Sequence, residues 1–260
     1  MNTFFGGKLT DQDISAHCEA LLNVSNKYSD HSPEIVTIRL PHQYAIVAVR
    51  GKNGGVGYYE DDTYTIVMEG EIFNSEIFNH EISTGTNIRD RWAYGFAKEL
   101  MKGEDKLFSS INGIYSVVVF DKHLQRFSFF RDKKGYRFIH YAFQQDGTIC
   151  FASRLWQVAD ILQSPVEINV GINLFQYVNN FFPLSSTVVS PIKKVRPGFI
   201  LHYSIESGAT RERQISFDTR THGRKKNPKT SKLSDATSVL YTEFLDSLER
   251  VLETTFYSSV

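Results

Sequence analysis

Apolar residues along this chain follow two rhythms. Short runs of β-branched and aromatic residues bounded by Gly, Pro, Asp and Asn predict strands. Met1–Gly6, Glu34–Leu40, Tyr44–Val49 and Thr63–Met68 are such runs, with Pro41 breaking the second from the third. Four more crowd Gly113–Asp121, Arg126–Asp132, Lys133–Tyr141 and Phe151–Leu155, and Phe199–Tyr203 follows the turn signal Pro197-Gly198. Val117–Phe120 is continuously apolar, as a strand covered on both faces requires. Asp121-Lys122-His123 and Asp132–Gly135 supply the turns between these runs, which together read as one buried antiparallel sheet.

The second rhythm is helical. Ile14, Cys18, Leu21 and Leu22 share one face of Asp13–Leu22; Ile88, Trp92, Phe96, Ala97 and Leu100 share one face of Ile88–Met101. Another helix is expected over Ile172–Phe181, and a last apolar stripe runs through Ala236, Leu240, Phe244, Leu248, Val251 and Leu252. Spacing alone therefore predicts a mixed α+β protein rich in antiparallel strands. Trp92 and Trp156 are both expected in the core.

Composition narrows this only in part. A hydrophobic content of 41% and an aromatic content of 13% suit a folded domain over 260 residues. Lys+Arg and Asp+Glu are equal at 29 each, so no global charge argues for nucleic acid or a membrane surface. Arg220, Arg224, Lys225, Lys226, Lys229 and Lys232 do cluster, but no aromatic residues interleave them, and a solvated linker is the expectation. No apolar run nears the ~20 residues of a membrane span, and no signal peptide is evident, which points to the cytoplasm. Cys18 and Cys150 form neither a disulfide framework nor a zinc pattern, and the eight histidines lack ligand spacing.

The central runs also carry a resemblance. Gly113-Ile114-Tyr115-Ser116, a strand, Asp121, a second strand, Arg131-Asp132 with Gly135, then Phe151-Ala152-Ser153 stand in a specific order. That order resembles the amino-terminal domain of asparagine synthetases, a class II glutamine amidotransferase of the N-terminal-nucleophile hydrolase type. Thr187, Ile192, Pro197 and Gly198 extend the likeness, which covers roughly residues 1–205. The resemblance implies a four-layer α/β/β/α sandwich of two antiparallel sheets between helices. It divides the chain into a glutamine amidotransferase-like domain over 1–205, a basic polar linker over 206–232, and the start of a truncated synthetase-domain helix over 233–260.

The resemblance also says which residues should do chemistry, and here the chain departs from it. The family opens Met-Cys-Gly-Ile, and the exposed Cys attacks the glutamine amide with its own α-amino group as base. This chain opens Met1-Asn2-Thr3-Phe4, and a carboxamide is no nucleophile. The family's Asn-Gly-Glu-Ile-Tyr-Asn supplies an oxyanion-hole side chain, a Gly N–H, and a Glu for the substrate amine. Here it reads Glu69-Gly70-Glu71-Ile72-Phe73-Asn74, and an ionised carboxylate at Glu69 would repel an oxyanion. Aligning an Ile-Val pair on Ile46-Val47 puts Gln43 where the family's substrate-binding Arg stands. Ile88 takes the place of an Asp in the loosely aligned Asn87–Asp90, and Arg154 replaces the Glu of Phe-Ala-Ser-Glu. Arg131-Asp132 is expected to fix a turn by an internal ion pair.

The expected catalytic set is therefore empty, and the remnant glutamine pocket comprises Asn2, Gln43, Glu69, Gly70 and Glu71. The implied function is a degenerate glutaminase-like domain of an asparagine synthetase-type, ATP-dependent amide-forming ligase, making asparagine, a β-lactam or a cyclised peptide. ATP and Mg are expected only in a C-terminal synthetase domain, whose Ser-Gly-Gly-x-Asp-Ser phosphate loop is not found in these residues. That synthetase part is the expected partner, through the C-terminal helix, and a small amino-acid-like ligand is a second. The alternative is a stand-alone pseudo-enzyme that binds a partner or metabolite. The weakest reading is an active glutaminase with an unrecognised nucleophile, for which Thr3 and Cys18 are the residues to change.

Overall fold

The two rhythms resolve into two six-stranded antiparallel sheets with helices outside them. The computed structural model describes residues 2–28 (of 24–28 the backbone alone), 32–51, 54–78, 87–162, 164–179 and 185–215, with residues 242, 245 and 246. In chain order come β1 (Thr3–Lys8), α1 (Asp11–Tyr28), β2 (Glu34–Arg39), β3 (Tyr44–Arg50), β4 (Val56–Glu60) and β5 (Tyr64–Ile72). Next are α2 (Ile88–Leu100), α3 (Glu104–Ser110), β6 (Gly113–Asp121), β7 (Arg126–Arg131), β8 (His140–Phe143), β9 (Ile149–Ala152) and α4 (Leu155–Ile161). The remainder is β10 (Glu167–Ile168), α5 (Val170–Asn179), β11 (Val189–Ser190), β12 (Lys193–Lys194), β13 (Phe199–Ser204) and β14 (Thr210–Gln214).

The first sheet runs β12-β8-β9-β1-β3-β2 and the second β14-β13-β7-β6-β5-β4, with β10 and β11 as a separate pair. Between the sheets lies an aromatic core of Phe4, Phe120, Phe127, Phe129 and Phe151 with Ile46, Val118 and Leu201. A second core packs Trp92, Phe96, Leu107 and Phe108 of α2 and α3 onto the outer face of the second sheet. A third packs Ile14 and Leu21 of α1 and Val158 and Ile161 of α4 onto the outer face of the first. These are the four layers, α/β/β/α. The double coverage of Val117–Phe120 follows from the period-two alternation of a strand: Val117 and Val119 lie in the second core, Val118 and Phe120 in the first.

Several expectations are corrected. The four runs between Gly113 and Leu155 do not form one sheet: β6 and β7 belong to the second, β8 and β9 to the first. The segment joining them crosses between sheets, and Arg131 and Asp132 fix it without pairing with each other. Arg131 donates from Nε to Arg137 O (2.7 Å) and from Nη1 to Val195 O (2.7 Å), and from Nη2 to Gly135 O. Asp132 accepts the N–H groups of Lys134, Tyr136 and Arg137. A carboxylate with three backbone donors and a guanidinium with three carbonyls hold a crossover better than one ion pair between them would.

Trp92 is buried at 3% exposure, but Trp156 is 41% exposed on α4. The folded domain also continues past residue 205. β14 pairs with β13 from Tyr203↔Thr210 to Phe199↔Gln214, and Ile215 is buried in the second core, so the linker cannot begin at 206. Of the expected linker and C-terminal helix, the rest lies outside the described residues, apart from residues 242, 245 and 246. No helix among the described residues is long and apolar enough to cross a membrane.

Candidate functional site

Strand β1 sets the site by its alternation. Phe4 points into the core between the sheets, Phe5 toward the helices outside. Asn2 therefore shares the inner side with Phe4, and Thr3 the outer side with Phe5. On that outer side Thr3 is fully buried; its hydroxyl lies 2.8 Å from Ser153 Oγ and donates to Gln157 Oε1 at 2.6 Å. Thr3 faces α4, away from any pocket between the sheets.

Asn2 is docked on the loop that precedes β4. Its Oδ1 accepts the N–H groups of Gly51 (2.8 Å) and Gly55 (3.0 Å). A Cβ on Gly55 would lie 2.3 Å from Asn2 Nδ2, so the glycine is what lets the carboxamide sit there. Across from it Glu69, in β5, is only 2% exposed. Arg154 Nη2 donates both to Glu69 Oε1 (2.9 Å) and to the Asn2 carbonyl (3.0 Å), and Arg137 Nη1 reaches the same Glu69 oxygen at 3.2 Å. Glu69 Oε2 is buried without a hydrogen-bond partner among the described residues.

The neighbours of Glu69 are engaged as well. Gly70 adopts φ +120°, and a Cβ there would lie 2.0 Å from Ile114 O, so no other residue fits. Its N–H, which a glutaminase would turn toward an oxyanion, donates to Gly55 O at 3.4 Å. Its carbonyl accepts Arg89 Nε at 3.1 Å, and Arg89 Nη2 lies 3.4 Å from Glu71 Oε1. Arg89 comes from α2, whose N-cap Asn87 accepts Arg89 N–H and donates to Gly54 O. Burial holds the Arg89 pKa below its ordinary value, with Glu71 acting in the other direction.

Four of the five sequence-predicted positions thus come together: Asn2, Glu69, Gly70 and Glu71. Gln43 does not join them. The register pairs Thr3 with Val49 and Lys8 with Tyr44, so Gln43 lies beyond the far end of β1, seven residues or roughly 23 Å from Asn2. It is exposed in a short 3-10 turn at φ +64°. The arginine that the strand brings to Asn2 is Arg50, whose guanidinium lies 4.5 Å from the Tyr58 ring and pairs with Asp90 of α2. Desolvation raises the Asp90 pKa against the pull of Tyr58 N–H and Arg50.

Sequence reasoning assigned no role here to Arg50, Arg89 or Arg137, and saw Arg154 only as a departure. One signal was available: a neutral family Asn became acidic at Glu69 while a family Glu became basic at Arg154. Read together, those two departures describe an ion pair.

Chemically, the cluster offers charge pairing and hydrogen bonds but no activated nucleophile. Cys150 is fully buried against the outer helices, where burial pushes its thiol up to about 12; Cys18 packs on the same core and is also raised by burial. His140, in β8, is held down to about 4 by burial and by Arg131, Lys194 and Arg154. Among the described residues no group of three or more His, Cys, Asp and Glu side chains is placed to hold a metal ion.

Two stacked antiparallel sheets between helical layers form a four-layer α/β/β/α sandwich, with β1 inside the first sheet. The fold is similar to that of glutamine phosphoribosylpyrophosphate amidotransferase from B. subtilis complexed with ADP and GMP, with TM-score 0.50 and 12% identity over 82% of this chain and 49% of that one. It is equally similar to a structure described as the allosteric regulatory enzyme of purine biosynthesis, with TM-score 0.51, 12% identity and the same shares of 82% and 49%. At that identity the likeness concerns the fold, and this chain spans about half the length of either neighbour. No curated protein sequence matches. The family model described as "Glutamine amidotransferase domain" matches residues 37–214, and the chain belongs to that family.

Proposed function

We propose that this chain is a glutamine amidotransferase domain that has lost glutamine hydrolysis and serves an asparagine synthetase-type, ATP-dependent amide-forming ligase. The observation that carries the proposal is Glu69. It stands where the family resemblance calls for a neutral oxyanion donor, it is buried, and Arg154 and Arg137 grip it. A glutaminase transition state places negative charge beside that position, and a fixed carboxylate raises its energy. The Asn2 carboxamide, with Oδ1 already bonded to two backbone N–H groups, is a structural tie where the nucleophile would be.

In this reading ATP and Mg belong to the synthetase part, and the acceptor amine comes from the substrate itself or from ammonia. The domain would work in the cytoplasm, and its contribution is structural: an ordered layer against which the synthetase part is held.

The test is release of glutamate from glutamine by the purified chain. No turnover is expected from the natural sequence. Asn2→Cys alone is also expected to stay inactive, because Glu69 and the Gly70 N–H remain committed elsewhere. Ready rescue by that single change would refute the reading. Turnover abolished by changing Thr3 or Cys18 would establish an active glutaminase with another nucleophile instead.

A second reading, a separate partner-binding subunit, is favoured by α5. That helix buries none of its residues, and Val170, Leu174, Tyr177 and Val178 are more than 60% exposed on it. The mass of the polypeptide in its native source separates the two: a product extended by a phosphate-loop domain supports the fused ligase, a 260-residue product the subunit.

A further inference from the structure

The second sheet carries another concavity, on the edge opposite Glu69. Period-two alternation places Arg126, Ser128 and Phe130 of β7, Ile200, His202 and Ser204 of β13, and Arg211 and Arg213 of β14 on one face. Cross-strand pairing aligns them in rows: Phe130–Ile200–Arg213, Ser128–His202–Arg211, and Arg126 beside Ser204. Phe108 of α3 stacks on Phe130 at 4.0 Å and covers the first row. Past it the sheet face opens as a cavity of about 410 Å³, lined by Glu104, Arg126, His202, Ser204, Thr210, Arg211 and Arg213 among others.

Its charges are only partly matched. Glu104 takes Arg213 at 2.7 Å and Arg126 at the longer 3.5 Å, while Asp105, at the rim, takes the other side of Arg213. Arg213 is thereby fixed as part of the wall. Arg126 Nε is buried with no hydrogen-bond partner, and Arg211 makes no ion pair among the described residues. His202 adds no charge at neutral pH: burial, then Arg126, Arg213 and Arg211, outweigh Glu104 and hold it down to about 4.

We infer that this cavity binds a small phosphorylated anion, with Arg126 and Arg211 as its guanidinium partners and the Ser204 and Thr210 hydroxyls as further donors. A phosphoryl group carries ~1.5–2 negative charges and three acceptor oxygens, which matches two incompletely satisfied forks. A single carboxylate would leave one of them uncompensated. The site is concave and no Phe, Tyr or Trp lines it among the described residues, which favours a compact ligand over a stacked single strand of nucleic acid. Its strands β7, β13 and β14 lie three to five strand spacings, roughly 14–24 Å, from the β4 edge, and it opens on the face away from the first sheet, so it stands or falls independently of the glutaminase question.

The test is calorimetric titration of the full chain with pyrophosphate and with inorganic phosphate at constant ionic strength. Saturable binding with Kd on the order of 1 mM or tighter is expected. Arg211→Ala removes an exposed side chain with no hydrogen-bond or ion-pair partner among the described residues and is expected to weaken binding about tenfold. Glu104→Gln removes the one carboxylate that lines the cavity among the described residues and is expected to tighten it, whereas Arg39→Ala, on the first sheet, leaves it unchanged. The inference is overturned if no saturable binding appears by about 10 mM, or if Arg211→Ala and Arg39→Ala behave alike. A single-stranded oligonucleotide that binds more tightly than pyrophosphate would overturn it in favour of a nucleic-acid surface.

Discussion

At Glu69 the chain buries a carboxylate between two guanidiniums that are themselves 36% and 39% exposed. Removing one partner of a buried pair strands the other, at about 3–5 kcal/mol when both are dry. Solvent screening at Arg154 and Arg137 lowers this, so Glu69→Ala is expected to cost about 2 kcal/mol by urea unfolding. Arg154→Glu should cost more, since it sets two carboxylates together. The Glu69→Asn/Arg154→Glu double variant should cost less than the sum of its parts, because it restores the family's neutral-acidic pairing.

Histidines set a second expectation at this scale. His140 and His202 are each held down to about 4, well below the 6.5 of a free imidazole. The unfolded chain therefore binds more protons between those values. Their stabilising contribution is complete above about 6.5 and is lost as pH falls toward 4, by up to about 3 kcal/mol for each group. Urea midpoints measured from pH 7 to 4 should fall, and His140→Gln should flatten that slope. How much of the site the sequence disclosed also varies by residue. The Glu69–Arg154 exchange could be read from two opposite departures, but Gln43 could not be placed. Ala45-Ile46-Val47-Ala48-Val49 offers several equivalent frames for a short apolar pair, and only the pairing with β1 shows that Arg50, not Gln43, reaches Asn2.

Among the elements, strands and helices were largely visible in the apolar rhythm, while their assignment to sheets was not. A run such as Arg126–Phe130 has the same alternation whichever sheet it joins, and the choice is made by the crossover that Arg131 and Asp132 fix. The strand Thr210–Gln214 was missed because all five of its residues are polar, Thr, Arg, Glu, Arg and Gln being an edge composition with no apolar signal. Trp156 shows the reverse error, since size alone does not bury an aromatic on a seven-residue helix. Strand β5 supplies the prediction at this level. Gly70→Ala combines φ +120° with a contact of 2.0 Å to Ile114 O, against backbone that cannot yield cheaply. It should cost at least about 3 kcal/mol or prevent soluble expression, while Gly147→Ala, with nothing within 4 Å, should cost far less.

For the whole molecule the four-layer sandwich came from the family resemblance, because local spacing has no term for how sheets stack. The layers are uneven. α2, α3, α1 and α4 are anchored by buried side chains, and α5 by none. Replacing Leu174, Tyr177 and Val178 together by polar residues should leave the urea midpoint within about 0.5 kcal/mol of the natural chain. A large loss would mean that α5 is covered within the same chain.

Strand β6 has one further consequence. Its odd and even residues belong to different cores, Val117 and Val119 to one and Val118 and Phe120 to the other. Neither helical layer nor sheet interface can come apart while the other stays whole, for the one strand that serves both would have to leave both. Amide hydrogens of β5, β6 and β7 should exchange with deuterium last and together, at the rate of global opening. The sandwich then opens as one unit, and a ligand bound at either edge of the second sheet would slow exchange along its whole width.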